Sequence, residues 1–507
     1  MNRQFASVGV SPQWASPHKF SRMMPVFAIL GWAALVLSFA NVAGLVAAAP
    51  TPRPNIVFIL GDDMGHGDLG CYNPETKIPT PHLDRLAREG MRFTDAHSGS
   101  AVCTPTRYGL LTGRYAWRTR LQRHVLMPYE PPLIEKGRLT LPALLQQHGY
   151  ATACVGKWHL GSEWPRPDKT KPPDFTQPIA EGPTTRGFDY YFGTDVPNHP
   201  PYCFIENNRT FGLPTAQRTI TNLDGLPGPM LPDWRFDEIL PTLAHKAVGY
   251  LEERAKDGKP FFLYFSLTSP HEPIQPSARF RDKSAIAPVA DFIMETDWAA
   301  GEVLTALDTL GLSRNTLVVF AGDNGPARHQ GDAMKAAGQR RSLGWRAEKG
   351  SIYEGGHRVP FIARWPGHTP AASVSAELVC VGDMMGTVAA LLGAKLPDDA
   401  AEDSVNILPA LLGKRTAAPL REAIVHHDKD GVFAIRQAAW KLIPAQIPPP
   451  YAARPSPAAV PPELYDLAKD PGETTNVAEE RPEIVGRLTS LLERYRRQGH
   501  SRASAAN

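Results

Sequence analysis

Adjacent carboxylates stand at Asp62 and Asp63, directly after the apolar run "NIVFILG", and an Asp323, Asn324 pair follows "TLVVFAG" in the same way. One such pair is ordinarily a solvated turn. Two pairs that each close a buried strand can meet beyond one sheet edge, offering hard oxygen ligands of the kind and number calcium takes. Copper, zinc or iron would call for imidazole or thiolate instead. Basic groups recur in the same setting. Lys157 and His159 follow a second apolar run, His271 follows a third, and Lys349 lies in "EKGSIYEGGHRVP". Each alone reads as a solvated side chain. Together with a cation and Arg107 they describe a pocket for a tetrahedral anion.

The stretch "CTPTRYGLLTGR", Cys103 to Arg114, adds sulfur to this inventory. Cys103 or Thr104 can cap a helix that begins at Pro105, because proline's fixed φ suits the first helical position. Cys103 then lies at the positive helix end, with Arg107 on the same face at the i, i+4 spacing. The plainer reading of this stretch is a capped helix around a buried thiol.

The elements that must position these residues share one pattern. "NIVFILGDD", "YATACVGKWH", "PFFLYFSLTSPHEP" and "TLVVFAGDNG" are short, uninterrupted apolar strands followed at once by polar residues. Strands apolar throughout are buried on both faces, as in a parallel sheet covered by helices. Between them "PHLDRLAREG", "TLPALLQQHG" and "DFIMETDWAAGEVLTALDTLG" read as helices closed by Gly90, Gly149 and Gly311 as C′ residues. This alternation predicts an α/β fold with a mainly parallel sheet, whose ligands bind beyond the carboxyl ends of the strands. Past residue 420 the pattern changes. "GVFAIRQAAWKLI" reads as two short strands joined by a tight turn, and "PEIVGRLTSLLERYRRQ" as a helix. The proline-rich "PAQIPPPYAARPSPAAVPP" between them is a loop or linker. The expected organisation is a main domain over 50–420 and a smaller C-terminal α+β domain over 421–507.

Composition narrows the function classes. At 507 residues and a net charge of +3, nothing suggests a nucleic-acid-binding surface, so anion recognition must be local. Five cysteines, an odd number without zinc-like spacing, make neither a disulfide scaffold nor a zinc site. At the N-terminus Lys19 and Arg22 precede "PVFAILGWAALVLSFANVAGLVAAA". Residues 1–49 therefore read as a cleaved signal peptide or a retained N-terminal anchor, and in either case as a mark of export.

At this point the chain resembles a known family. "CTPTRYGLLTGR" matches the C-x-P-x-R-x4-T-G-R signature of the type I sulfatases, and "VGKWHLG", "GFDYYFG", "SPHEP", "FAGDNG" and "ELYDLAKDPGETTNVA" follow in family order. The resemblance, to arylsulfatase A and N-acetylgalactosamine-6-sulfatase among others, implies an alkaline-phosphatase-like α/β fold and a sulfuric ester hydrolase. It implies formylglycine at Cys103, made by a formylglycine-generating enzyme, and calcium held by Asp62, Asp63, Asp323, Asn324 and the modified Cys103. Arg107 corresponds to the residue that steadies the formylglycine, and Lys157, His159, His271 and Lys349 to the groups around the sulfate. His66 replaces an aromatic residue common among relatives and takes no role.

A hydrated aldehyde explains the modification. One hydroxyl can attack sulfur, and deprotonating the other re-forms the aldehyde and expels sulfate. Family position makes His159 the acceptor of that second proton; Asp323 is placed to orient or deprotonate the attacking hydroxyl, and His271, aided by Lys349, is the expected acid for the leaving alkoxide. The substrates implied are sulfated carbohydrates or aryl sulfates. "DVPNHPPYCFIENNRT", 195–210, is either part of the substrate pocket or a surface loop. The rival readings are a phosphomonoester, phosphodiester or phosphonate monoester hydrolase of the same superfamily, and a non-catalytic sulfated-glycan-binding protein with an intact thiol.

Overall fold

The computed structural model describes residues 53–219, 224–328, 331–445 and 460–502. Residues 1–49, expected to be a signal peptide or N-terminal anchor, and most of the proline-rich stretch lie outside them. Among the described residues no helix is long and apolar enough to cross a membrane.

The main sheet is built from β1 (Asn55–Gly61), β2 (Met91–Phe93), β3 (Ala151–Lys157), β4 (Tyr190–Thr194), β5 (Phe204–Glu206), β6 (Arg209–Phe211), β7 (Phe261–Ser266), β8 (Thr316–Gly322), β9 (Phe361–Arg364) and β10 (Ser373–Ser375). Their order across the sheet is β10-β2-β9-β8-β1-β7-β3-β4-β5-β6. The central five, β8-β1-β7-β3-β4, are all parallel, and antiparallel pairs flank them through β9 and β5. The four apolar runs are thus neighbours. "GFDYYFG" supplies the fifth parallel strand.

Helices α1 (Pro81–Glu89), α2 (Cys103–Thr112), α3 (Leu141–Gln147), α4 (Ile239–Asp257) and α5 (Pro288–Thr309) cover both faces. Alternation along β1 shows why. Ile56, Phe58 and Leu60 pack with Tyr108 and Leu111 of α2 and Leu141 and Leu145 of α3. Val57 and Ile59 pack on the other side with Leu83, Leu243 and Val303 from α1, α4 and α5. A strand buried on both sides needs apolar residues at every position, as "IVFIL" provides. This is the alkaline-phosphatase-like, mainly parallel α/β architecture expected from the sequence.

Near the C-terminus β11 (Ile424–His427), β12 (Phe433–Gln437), β13 (Trp440–Ile443) and β14 (Glu463–Asp466) form an antiparallel sheet. Val425, Ile435 and Leu442 pack on Leu488, Leu491 and Leu492 of α6 (Pro482–Gln498). β11 also braces the segment leading to Cys103. Ala101 N donates to His427 O at 3.1 Å, and His426 Nδ1 lies 3.1 Å from Ser98 O.

Two helix-end expectations are corrected. α2 begins at Cys103 rather than Pro105, with extended Val102 as its N-cap and no side-chain cap. The Thr104 hydroxyl accepts from Leu126 N at 3.2 Å instead of capping. Proline is still tolerated at the third position, because the first-turn N–H groups have no intrahelical acceptor. Gly90 ends α1, but at φ −137° and not in a left-handed cap. Its lack of a side chain serves close packing, since a Cβ there would lie 2.2 Å from Ala363 O of β9. Gly149 and Gly311 do adopt the expected positive φ, +81° and +70°.

Candidate active site

β1 and β8 run parallel with Gly61 opposite Gly322, so the residues after them emerge side by side. Asp63 N donates to Asp323 Oδ1 at 3.2 Å, and Asn324 Nδ2 donates to Asp63 Oδ1 at 2.7 Å. Asp62, Asp63, Asp323 and Asn324 are completely buried. Asp63 holds a left-handed backbone at φ +66°, and His159 another at +53°. Such non-glycine conformations cost energy and persist where surrounding structure enforces them, often at active sites.

α2 delivers Cys103 and Arg107 to the same carboxylate. Cys103 Sγ lies 3.5 Å from Asp62 Oδ1, and Arg107 Nη2 lies 3.5 Å from Asp62 Oδ2. The guanidinium is spent within the site. Nη2 and Nε donate to Asp323 Oδ2 at 2.8 and 3.2 Å, and Nη1 donates to Ser266 Oγ at 2.5 Å and Lys157 O at 3.3 Å. Arg107 therefore ties the ends of β3, β7 and β8 together around the carboxylates. Ser266, which also donates to Lys157 O at 2.7 Å, was not singled out from the sequence. Its signal was Gly156 across the sheet, since glycine inside a strand often marks a close backbone approach. Gly156 has φ +120°, and a Cβ there would sit 1.7 Å from Ser266 O.

The basic residues converge as well. Lys157 Nζ is 2.6 Å from Asp62 Oδ2, and Lys349 Nζ is 2.6 Å from Asp63 Oδ1. Burial alone would raise the Asp63 pKa, but Lys349 and His271 together pull it below the usual carboxylate range. Burial and the Asp62 charge push Asp323 up to about 6, with Arg107 and Lys157 opposing. One ring nitrogen of His271 lies within 4.8 Å of donor atoms of Asp62, Asp63 and Cys103.

The histidines are set in defined tautomers when neutral. His159 Nε2 is 3.1 Å from Leu126 O and His271 Nδ1 is 2.9 Å from Glu272 O. A carbonyl only accepts, so each of those nitrogens carries the proton. His159 Nδ1 is left as a buried lone pair without a partner. Burial, then Lys157, lowers the His159 pKa well below its ordinary value, and burial with both lysines takes His271 down to about 4.

A hard cation suits this donor set. Asn324 spends its amide N–H groups on Asp63 Oδ1 and Gly325 O, leaving its buried Oδ1 without a partner beside three carboxylates. Such an oxygen is what calcium or magnesium takes as a ligand. A second cluster, His97, His357 and His426, is different. The His357 and His426 rings stack at 3.8 Å and 13°, so their in-plane lone pairs run parallel and do not converge on one ion. Arg436 lies 3.0 Å from His97 Nε2, and Lys441 3.1 Å from His357 Nε2. This cluster reads as a polar core between β11, β13 and the loop before Cys103.

The "DVPNHPPY" segment reaches the site. His159 N donates to Asp195 O at 3.1 Å and contacts Asp195 Oδ1 at 3.2 Å, and the His199 ring stands edge-on to His159 at 5.8 Å. His66 lies elsewhere, buried edge-on against Tyr72 and Trp345.

A strand-end cluster of carboxylates, lysines and histidines on a mainly parallel sheet is chemically suited to binding and hydrolysing esters of a charged, tetrahedral acid. Residues 54–394 match the sulfatase family, and residues 342–498 match the family described as N-sulphoglucosamine sulphohydrolase, C-terminal. The chain is 35% identical over 486 residues to N-acetylgalactosamine-6-O-sulfatase of Bacteroides thetaiotaomicron, covering 87% of this chain and 93% of that protein. It is 34% identical to human arylsulfatase A over 489 residues, covering 90% and 89% of the two chains. A solved structure from work on the metabolism of multiple glycosaminoglycans by Bacteroides thetaiotaomicron superposes with a TM-score of 0.78 at 33% identity, over 88% of this chain and 99% of the other. Phosphonate monoester hydrolase of Agrobacterium radiobacter, at 20% identity, shares the fold with a TM-score of 0.60, over 88% of this chain and 96% of the other. The chain belongs to the sulfatase family and is a sulfuric ester hydrolase.

Proposed function

We propose that this sulfatase releases sulfate from sulfated carbohydrates, using formylglycine at position 103 and a calcium ion held by Asp62, Asp63, Asp323, Asn324 and the modified residue. The observation that carries the reading is the state of Cys103. It is 1% exposed, and burial together with the Asp323 carboxylate pushes its thiol far above the ordinary range. At that place, 3.5 Å from Asp62 Oδ1 and within the C-x-P-x-R stretch, a formylglycine hydrate would stand against the carboxylates that would hold the ion. Burial of Cys103 and Arg107 also favours modification by the formylglycine-generating enzyme before the chain folds.

Held by Asp62, Asp63, Asp323 and Asn324, the ion would supply positive charge to the site, and a formylglycine hydrate would supply one hydroxyl for attack and one whose deprotonation releases sulfate. The chain's own residues do the rest. Arg107 fixes Asp323, which orients or accepts from the attacking hydroxyl. Lys157 and Lys349 bring positive charge to the sulfate. His159, with its proton on Nε2, offers Nδ1 as the base. His271 presents Nε2 to protonate the departing alkoxide, and the ester's negative charge counteracts the burial that depresses its pKa.

The carbohydrate substrate is supported by the N-acetylgalactosamine-6-O-sulfatase relative and export by the leader-like residues 1–49. We keep 50–420 as the catalytic domain and 421–507 as a smaller domain bracing the Cys103 segment. A panel of sulfated mono- and oligosaccharides, assayed for released sulfate beside aryl sulfate and aryl phosphate, tests the reading. Release from sulfated sugars is expected, and a strong preference for phosphate contradicts it.

A further inference from the structure

Of the proposed calcium ligands only Asp63 has a left-handed backbone, at φ +66°, a conformation unfavourable for a residue with a Cβ. Its peptide groups are pinned from two sides. The N–H donates to Asp323 Oδ1 at 3.2 Å, and the carbonyl accepts from Arg341 Nη2 at 3.0 Å. Arg341 lies 278 residues along the chain from Asp63 and is 5% exposed. Its guanidinium is aimed by Asp68, which is completely buried. Nε donates to Asp68 Oδ1 at 2.9 Å and Nη2 to Oδ2 at 2.8 Å, a two-pronged, charge-assisted contact. Nη2 carries two N–H groups, so it serves Asp68 and the Asp63 carbonyl at once. Asp68 is fixed in turn, since its Oδ2 accepts from Gly65 N at 2.9 Å. The turn that carries Asp68 lies hard against the arginine's own backbone. Gly67 N donates to Arg341 O at 2.8 Å, Gln339 Nε2 donates to Gly67 O at 2.8 Å, and a Cβ on Gly67 would stand 1.7 Å from Arg340 O.

We propose that Arg341, aimed by Asp68, is a positioning residue for the cation site: it holds Asp63 in the left-handed conformation from which its carboxylate meets Asn324 and Lys349. Those contacts are short, 2.7 Å from Asn324 Nδ2 and 2.6 Å from Lys349 Nζ to Asp63 Oδ1. The inference rests on the calcium reading and extends it to a pair outside the ligand set. The contact is made to the Asp63 carbonyl and not to a carboxylate oxygen, so it orients the ligand without taking the place of the ion. Lysine is no substitute, because an ammonium lacks the planar fork that reaches both Asp68 oxygens while donating to a third acceptor.

The test is calcium affinity, read by titration calorimetry on the chelator-stripped full chain and by the rise of its thermal midpoint with added calcium. We expect Arg341→Gln to weaken calcium binding roughly tenfold or more, the scale of one lost hydrogen bond to a charged group, and Arg341→Lys and Asp68→Asn to weaken it roughly threefold or more. A tie that only secured the turn would lower stability equally with and without calcium and leave the affinity as it was. An unchanged calcium affinity in a folded Arg341→Gln therefore overturns the positioning role and leaves the calcium reading intact. Should the glutamine variant fail to fold, the milder Arg341→Lys decides in the same way, with wild-type affinity overturning the role. A wild-type protein that binds no calcium overturns the calcium reading, and the inference with it.

Discussion

Replacing Arg107 by methionine tests the claim that this residue holds the site together from within. The guanidinium and Asp323 are both completely buried, joined by contacts of 2.8 and 3.2 Å. Ser266 keeps its bond to Lys157 O when the arginine goes, so the main penalty falls on Asp323. Breaking a buried pair by removing one partner costs about 3–5 kcal/mol. That is roughly a hundred- to several-thousand-fold in the unfolding equilibrium, at about 1.4 kcal/mol per factor of ten. Urea unfolding followed by tryptophan fluorescence in chelator reads this loss. Repeating it with excess calcium should shrink the penalty, because the ion gives Asp323 another positive partner. Arg107→Lys should fall between, since an ammonium lacks the fork that reaches Asp323 and Ser266 together. A methionine variant within about 1 kcal/mol of wild type in chelator would refute the positioning role assigned to Arg107.

Three further outcomes follow from the same geometry. His427 is buried with neither ring nitrogen partnered, and burial lowers it from 6.5 to about 4. A pKa depressed in the folded state means stability complete above pH 6.5 and lost as pH falls toward 4. His427→Phe should therefore remove up to about 3 kcal/mol of acid destabilisation in that window, and an unchanged pH-stability curve would count against it. Gly156→Ala would put a Cβ 1.7 Å from Ser266 O at φ +120°, so thermal unfolding should show a loss of several kcal/mol, about 3 or more, with activity lost as Lys157 shifts. Calcium should raise the thermal midpoint of the wild type in a concentration-dependent way. Asn324→Ala should need far more calcium for the same rise, and equal calcium responses would remove Asn324 from the ligand set.

Much of this was legible because local chemistry and strand pattern agree. Four runs apolar at every position could only be strands buried on both sides, and the residues after them had to converge at the carboxyl edge. What was not legible depends on partners distant in sequence. Nothing near Arg107 announces that its acceptors are Asp323 and Ser266, 216 and 159 residues away. The start of α2 was misplaced because the Thr104 hydroxyl, suited to capping, is claimed by Leu126. Gly90 does end α1, but not in the left-handed conformation read for it, and its missing side chain lets β9 approach. The partnerless Oδ1 of Asn324 is likewise invisible in a sequence, since lacking a partner is a property of the whole surroundings.

The central claim is that Cys103 works as an aldehyde. Its most direct test is mass spectrometry of the peptide containing position 103, quantified against specific activity across preparations with different degrees of maturation. The thiol should be replaced by an aldehyde in proportion to activity, and Cys103→Ala should be folded and inactive. A fully active preparation whose Cys103 carries an intact thiol would contradict the mechanism.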